Sequence, residues 1–540
     1  MRLPTALVPL RHPLFRLLWS ANVVVSLGVW LQNTGAGWLM TTLAPNAFWV
    51  SMVQAATILP IFLFALPAGA VADILDRRSF IFLTQSWMLL AASLLAVLTY
   101  TGLTGPVLLL ALTFAIGIGT ASNSPAWGSV LIEVVPRQDL VQAVALNSVG
   151  FNLARAVGPA LAGLFLLFGG PALTFGLNAT SYLAVIGALL LWHRRRSGPP
   201  LPREHLPAAI RAGMRFARHT PLMRSAMLHA AAYFAPAAAP WAMLPLVVRQ
   251  QLHLGAGTFG LLLGLMGSGG VAAGMVLPHL RTHLGRGNTV LAATLCSAAG
   301  MATLAFSRHW PEAAVAMLIF GLGWVGASSV TQGTAQLAAP PWVRSRALAI
   351  YQLSSNGGLV FGTFVWGWLG TRIGLPSTLL TASVCGVVLA FLTHRFPLDQ
   401  PEPAAVPPAA LPSPEAVAPE LGPLLGATHS RVLQIQAYRI DPARQADFLA
   451  LMVEVREARG RAGAVVWHLY EDVAHAESWV ELWLMEDWAD HQREAARLSP
   501  ADRATLARAL AFSVGAPAAV SRFLAVAPHR MSAPPPTPQG

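Results

Sequence analysis

Ser148, Asn152 and Arg155 lie four and three residues apart in an otherwise apolar stretch. On a helix they share one face and present a hydroxyl, an amide and a permanent cation together. An arginine deep in a hydrocarbon layer costs at least about 2.5 kcal/mol, so it is expected to face a bundle interior or a wet cavity. Two roles fit it: binding an anionic or coupling group, and tying helix carbonyls together. A second group, Asp73 with Arg77 and Arg78, follows Gly69 in GAVADILDRR. Such residues can cap a helix N-terminus and bind carbonyls of a facing helix, a conformational latch, or serve as ordinary loop charges. No carboxylate falls midway along an apolar run, which leaves His229 as the titratable candidate for proton coupling, or as a hydrogen-bonded packing residue. Further polar or aromatic candidates within the runs are Asn33, Trp38, Gln54, Asn123, Tyr233, Trp241, Gln332, Gln352 and Asn356. Amides beside aromatic faces suit an amphipathic, ring-bearing ligand, or bond neighbouring helices.

The elements that position these residues follow from composition. The chain has 540 residues, 55% hydrophobic and only 11% charged, where a soluble domain carries about 25%. Twelve runs approach the length that spans a bilayer: 17–41, 48–71, 80–100, 106–131, 141–168, 172–192, 222–248, 257–280, 288–306, 311–335, 346–370 and 375–394. The first carries Asn22, Gln32 and Asn33 without a cleavage pattern, so it reads as a helix and not as a leader. All 35 basic residues are arginine, and their position decides their meaning. Up to residue 396 there are 23 arginines and 6 acids; beyond it, 12 and 17. Nineteen of those 23 fall on one set of loops and ends, three (Arg249, Arg308, Arg372) on the other, which places both ends of the bundle in the cytoplasm. The net charge of +12 is then a topology signal, and nucleic acid is not an expected partner.

The segment 193–221 reads as a cytoplasmic loop and divides the body into halves, 1–192 and 222–396, that resemble each other. An offset of 204 maps GIG at 117–119 to GLG at 321–323, Pro136 to Pro340, Asn152 to Asn356, Gly158 to Gly362 and Gly163 to Gly367. Parallel repeats of this kind place a substrate site between the halves near the midplane. In the first half, Ala154, Gly158 and Ala162 are small at every fourth position, with Pro159 and Gly163 completing GPALAG, so a neighbouring helix can approach closely.

GAVADILDRR resembles the signature between the second and third helices of the major facilitator superfamily, with a decayed copy from Gly274 to Arg286. FRLLWSANVVVSLGVWLQNTGAGWLM, ILPIFLFALPAGAVAD and SPAWGSVLIEVVPRQDLVQAVALNSVGFNLARAVGPALAG are similar to the branch of enterobactin-exporter-like efflux proteins. The resemblance covers residues 10–396. It implies alternating-access export of a small amphipathic molecule, a siderophore or drug-like compound, usually by proton antiport. The small-residue stripe resembles the family's antiporter motif, with Ala154 and Ala162 where glycines are usual. The arginine the family often carries before GIG is absent from ALTFAIGIG.

The stretch 397–429 is a Pro/Ala tract that reads as a tether. Residues 430–527 alternate strand and helix patterns in the order βαββααβ, a ferredoxin-like α+β domain on the cytoplasmic side, and 528–540 reads as a disordered tail. Through VWHLYED and SWVELWLMEDWADHQR this domain resembles small antibiotic-biosynthesis-monooxygenase-type domains. That resemblance implies two alternatives: an enzyme acting on the transported molecule, with His468, Trp483, Trp488 and His491 lining a cavity, or a docking, sensing or dimerisation module. The cysteines, Cys296 and Cys385, sit in apolar runs without ligand partners, and no metal or cofactor is expected.

Overall fold

The computed structural model describes residues 5–74, 76–192, 206–340, 343–399, 431–515 and 519–525; the side chains at 5–6, 65–74, 77, 124–126, 128–129, 131–133, 137, 141, 206–210, 212, 345, 489 and 496 lie outside the description. Among the described residues, eleven α-helices precede the tether: α1 (Pro13–Leu43), α2 (Ala47–Ile74), α3 (Arg77–Tyr100), α4 (Pro106–Val134), α5 (Leu140–Leu191), α6 (Leu206–His219), α7 (Pro221–Leu246), α8 (Ala256–Phe306), α9 (Trp310–Ala338), α10 (Arg344–Ile373) and α11 (Leu375–Thr393). Proline opens α1, α4 and α11, where its missing N–H costs nothing. The Asp76 carboxylate caps α3 by accepting from the Ser79 N–H at 3.1 Å.

Among the described residues, nine helices are long and apolar enough to cross a membrane. Two of them, α5 and α8, are about two and a half times as long as a hydrocarbon core of about 30 Å, at about 1.5 Å per residue. Each is broken at one glycine in the left-handed region, Gly170 (φ 65°) and Gly285 (φ 75°), where the chain turns back. The breaks fall at the gaps the sequence predicts, between 168 and 172 and between 280 and 288. Leu83, Leu90, Leu167, Phe168, Phe361 and Val384 stand exposed on the helices, as residues that face lipid do.

The chain forms two compact units: Met1–Arg203 with Ser225–Ala335 and Tyr351–Asp399, and Glu204–Arg224 with Gln336–Ile350 and Gln400–Gly540. In the first, helices pack through glycine. A Cβ on Gly158 would stand 2.6 Å from the Trp30 Cβ on α1, and one on Gly362 would meet the Ala235 carbonyl on α7. These pairs are related by nearly the 204-residue offset, so the repeat is structural as well as sequential. Between the halves, a Cβ on Gly260 of α8 would lie 2.5 Å from the Pro159 carbonyl oxygen and 2.6 Å from the Gly163 Cα of α5. Ala154 and Ala162 of the same stripe are fully buried.

The second unit contains the tail: β1 (Val432–Arg439), α12 (Gln445–Ala462), β2 (Val466–Glu471), β3 (Ser478–Met485), α13 (Trp488–Arg497), α14 (Pro500–Ala511) and β4 (Ser521–Leu524). The sheet is antiparallel in the order β2-β3-β1-β4, with Gln434 opposite Trp483 and His468 opposite Leu482. Alternation sends Gln434, Tyr438, Glu481 and Trp483 inward, and Phe448, Val455 and Ala509 from the helices close the core. The order βαββααβ stands as read, with the last strand confined to 521–524. Within the segment read as a loop, α6 is an additional element. Its Gly213, Phe216 and Ala217 are buried at helical spacing, Arg211 and Arg215 bind Glu486 at 2.5 and 3.3 Å, and its His219 carbonyl accepts from Arg461 at 3.0 Å.

Gly260→Ala is expected to push α5 and α8 apart and destabilise the bundle by about 1–3 kcal/mol, as overpacking does. Gly274→Ala, where nothing lies within 4 Å of the new methyl, is expected to be neutral. Thermal unfolding of the solubilised variants distinguishes the two sites.

Candidate functional site

A cavity of about 940 Å³ lies between the halves of the first unit. One wall comes from α1, α3, α4 and α5, carrying Asn22, Ser26, Trp30, Met88, Asn123, Trp127, Asn147, Ser148, Asn152, Arg155 and Tyr182. The other comes from α8, α9 and α10, carrying Gly267, Gly270, Gly274, Ser328, Ser329, Gln332 and Gln352. These residues occupy the helix portions nearer the arginine-rich ends: Asn22 lies early in α1, Ser148 early in α5, and Gln332 late in α9.

The helical spacing of Ser148, Asn152 and Arg155 places all three on the cavity wall. Asn152 Nδ2 donates to the Ser148 carbonyl at 2.9 Å, and Asn22 Nδ2 to Asn147 Oδ1 at 3.4 Å. The half-buried Arg155 guanidinium makes no hydrogen bond or ion pair with any described residue, and the lining contains no carboxylate among the described residues. Asn123 Oδ1 is buried and likewise lacks a donor among the described residues. The site therefore offers one uncompensated cation among amides, hydroxyls and aromatic faces.

Other residues singled out in the sequence stand elsewhere. His229 is 3% exposed, and its Nδ1 donates to the Ser225 carbonyl at 2.8 Å, a packing contact. Tyr233 pairs its hydroxyl with Ser297 Oγ at 2.8 Å and sets its ring against Phe234 and Trp324. Trp38 stacks on Phe259 near the arginine-poor end, with the Arg249 guanidinium 5.7 Å from its ring centroid. There Arg249 Nη1 donates to Thr41 and Thr42 Oγ1 at 2.9 and 2.5 Å, and Gln250 Nε2 to the Pro45 carbonyl at 3.1 Å. These contacts join α1 to the end of α7. Asn33, Gln54 and Asn356 are half-buried and do not line the cavity. Arg78 reaches the Leu190 carbonyl at 3.5 Å, while the side chains of its partners Gly69, Asp73 and Arg77 are outside the described residues. Sequence reasoning missed Asn147 and Ser328 as lining groups, and missed the glycine wall at 267, 270 and 274. Asn22 and Trp30 were visible only as polar or aromatic breaks in α1.

In the tail, the space considered for an aromatic substrate is filled. Trp483 is 1% exposed; its indole N–H donates to Glu494 Oε1 at 3.0 Å, and the Arg459 guanidinium lies 3.5 Å from its ring centroid. Arg459 also binds Glu481 and Glu494, each at 3.0 Å. Glu481 accepts from Tyr438 at 2.7 Å and Trp467 at 3.0 Å, and Glu494 from Gln434 at 2.6 Å. His491 is buried beside Glu494 at 3.6 Å, not solvated, and packs on Trp488, while His468 is exposed. Burial works against the Glu494 carboxylate, but hydrogen bonding from His491 and Gln434 and the Arg459 charge outweigh it and hold its pKa below the ordinary glutamate value.

A family model described as a transmembrane secretion effector matches residues 4–530. The chain is 26% identical over 272 residues to the staphyloferrin A transporter of Staphylococcus aureus, covering 50% of this chain and 68% of that protein. It is 23% identical over 388 residues to the enterobactin exporter EntS of Salmonella choleraesuis, covering 71% and 91%. Among solved structures it resembles an auto-inhibited POT family peptide transporter (TM-score 0.60, 11% identity, 71% of this chain and 96% of that one). It also resembles a bacterial homologue of the iron transporter ferroportin in an inward-facing state (0.55, 15%, 71% and 98%). At these identities the structures speak to the fold of the helical body.

Arg459→Met strands two buried carboxylates and is expected to destabilise the tail by about 3–5 kcal/mol, read by limited proteolysis of the full chain. A depressed Glu494 adds stability above its unfolded value, about pH 4.3, and loses it as pH falls through the lower folded value. Protease resistance of the tail is therefore expected to hold from pH 7 to about 4.3 and fall below that.

Proposed function

The chain belongs to the transmembrane secretion effector family of the major facilitator superfamily, and from that premise we propose that it exports a small amphipathic anion by alternating access. It is a multi-pass membrane protein and a transporter by family. One observation carries the proposal: a cavity of about 940 Å³ between the halves that presents the Arg155 cation with no carboxylate among the described residues of its lining. The names of the relatives point to siderophores as the substrate class.

In this reading the nine apolar helices become twelve crossings. The breaks at Gly170 and Gly285 divide α5 and α8 into two passes each, and α10, with 30 residues, supplies the last. The arginine count places both ends of the bundle, and the tail, in the cytoplasm of the cell membrane. The cavity then opens inward, and Arg249 closes the outer end over Thr41 and Thr42. Gly69, Asp73, Arg77 and Arg78 act as a latch that forms in one state and parts in the other, and a proton gradient drives the cycle. The filled interior of the tail favours a docking or dimerising role over catalysis.

Cells producing the chain are expected to release more of an endogenous siderophore than cells without it, measured by mass spectrometry of medium and cytoplasm. Arg155→Gln is expected to cut that release by about tenfold or more, since a charge-assisted contact contributes about 1.5–3 kcal/mol. Asp73→Asn at matched expression, and an uncoupler that collapses the proton gradient, are expected to reduce it as well. Unchanged release with Asp73→Asn removes the latch; unchanged release with the uncoupler removes proton coupling.

A further inference from the structure

Beneath the cavity lies a second space of about 20 Å³. Trp30, Arg155, Gly267, Gly270 and Val325 line both, so the small pocket continues the large one. Its remaining walls include Trp241, Trp324, Leu263 and Met266. A space of that size admits an oxygen atom or a water molecule, not a ring.

Two residues of its lining carry donors without acceptors among the described residues. Arg155 has no hydrogen bond or ion pair among the described residues. The Trp241 Nε1 is buried and also lacks a partner among them, although a buried indole N–H ordinarily finds one. Around both stand aromatic rings: Trp241 lies 6.0 Å from Trp30 and 5.4 Å from Trp324, centroid to centroid. Glycine keeps the space free. A methyl on Gly270 would sit 3.7 Å from Arg155 Nη2 and 2.7 Å from Val325 Cγ2.

We propose that this pocket and its mouth on the larger cavity form a carboxylate subsite, in which Arg155 and the Trp241 indole N–H hold the head group of an aromatic acid, one oxygen in the pocket, while its ring remains in the larger cavity. The assignment rests on the cavity being the transport site. The guanidinium fork matches the two oxygens of a carboxylate and attracts an anion more strongly between apolar walls than in water. The second donor satisfies a remaining lone pair, and the rings around it suit an acid whose carboxylate is borne directly on an aromatic system.

The test uses the full-length protein in detergent, with 2-naphthoate, its methyl ester and 2-naphthylmethanol as probes, binding being read by tryptophan quenching and calorimetry. The acid is expected to bind more tightly than the two neutral analogues. Arg155→Gln is expected to weaken the acid about tenfold or more and leave the ester unchanged, with Arg155→Lys recovering part of the loss. Trp241→Phe, which keeps a ring and removes the N–H, is expected to weaken the acid about three- to tenfold and spare the ester. Melting temperatures of the variants within a few degrees of the parent keep misfolding out of the comparison. Equal binding of acid and ester, equal losses for both, or no binding of the acid would each overturn the subsite. Siderophore release from cells is scored separately. Release without preference for the acid sinks the subsite alone, whereas acid binding without release sinks the transport reading.

Discussion

The main-chain contact of α5 with α8 at Gly163 and Gly260 is the constraint on which the helical body depends. In hydrocarbon, a helix gains nothing by hiding apolar side chains from lipid, so two helices hold together only where their surfaces fit closely. Here the fit is backbone on backbone: the Pro159 carbonyl and the Gly163 Cα occupy the place where a Gly260 side chain would be. The same economy recurs between α2 and α10, where a Cβ on Gly367 would collide with Ser51 and one on Gly370 with Ala47 and Met243. The halves are joined along a few glycine seams and at side-chain contacts such as Trp38 on Phe259 and Trp30 on Trp241, and the faces beyond these contacts need not fit each other. The cavity occupies that unfitted region, and its second-half wall is itself smooth, built of Gly267, Gly270 and Gly274.

Two half-buried arginines, Arg459 and Arg155, are held under opposite terms. Arg459 in the tail is surrounded by Glu481, Glu494 and the face of Trp483, every charge answered within hydrogen-bond distance. Burial alone would lower its pKa, and the two carboxylates more than reverse that. A complete network of this kind closes an interior and fixes one packing, and it leaves no room for a ligand. Arg155 has a cavity on one side, apolar rings beneath it and no answering charge among the described residues. An unanswered cation at that depth is costly to keep. The difference in satisfaction, not the difference in depth, separates the structural arginine from the one suited to meet an anion.

Much of the body was legible in sequence because membrane helices are coded by run length and by arginine position, both of which are read without tertiary information. Ser148, Asn152 and Arg155 were legible for a related reason: helical period fixes which side chains share a face. Residue type alone could not say which end of a helix a polar group occupies. Trp38 and Asn152 look alike as candidates, yet one stacks on Phe259 at the arginine-poor end and the other lines the cavity. The glycine wall carried no signal, since a glycine's role is defined by what stands opposite it, here Ala156, Val325 and Arg155. The helix α6 was readable in principle from the spacing of Gly213, Phe216 and Ala217, but its arginines made the segment look like an ordinary charged loop. In the tail, Trp483 suggested a ligand wall because aromatic rings serve cavities and cores equally well; only the positions of Arg459 and Glu494 decide between them.

The contacts at the arginine-poor end are of a kind that can part at low cost. Arg249 answers hydroxyls at Thr41 and Thr42 and the face of Trp38, and no carboxylate joins them among the described residues. Those threonines sit in the last turn of α1, where the helix dipole adds a weak attraction for a cation. Separating an arginine from hydroxyls exposes no stranded anion, and at a membrane surface water replaces each bond as it breaks. A buried ion pair in the same place would have cost several kcal/mol to open. In the proposed cycle the two ends of the bundle therefore differ in kind: glycine seams that stay closed along the halves, and a wet, charge-to-dipole clasp that opens at the end.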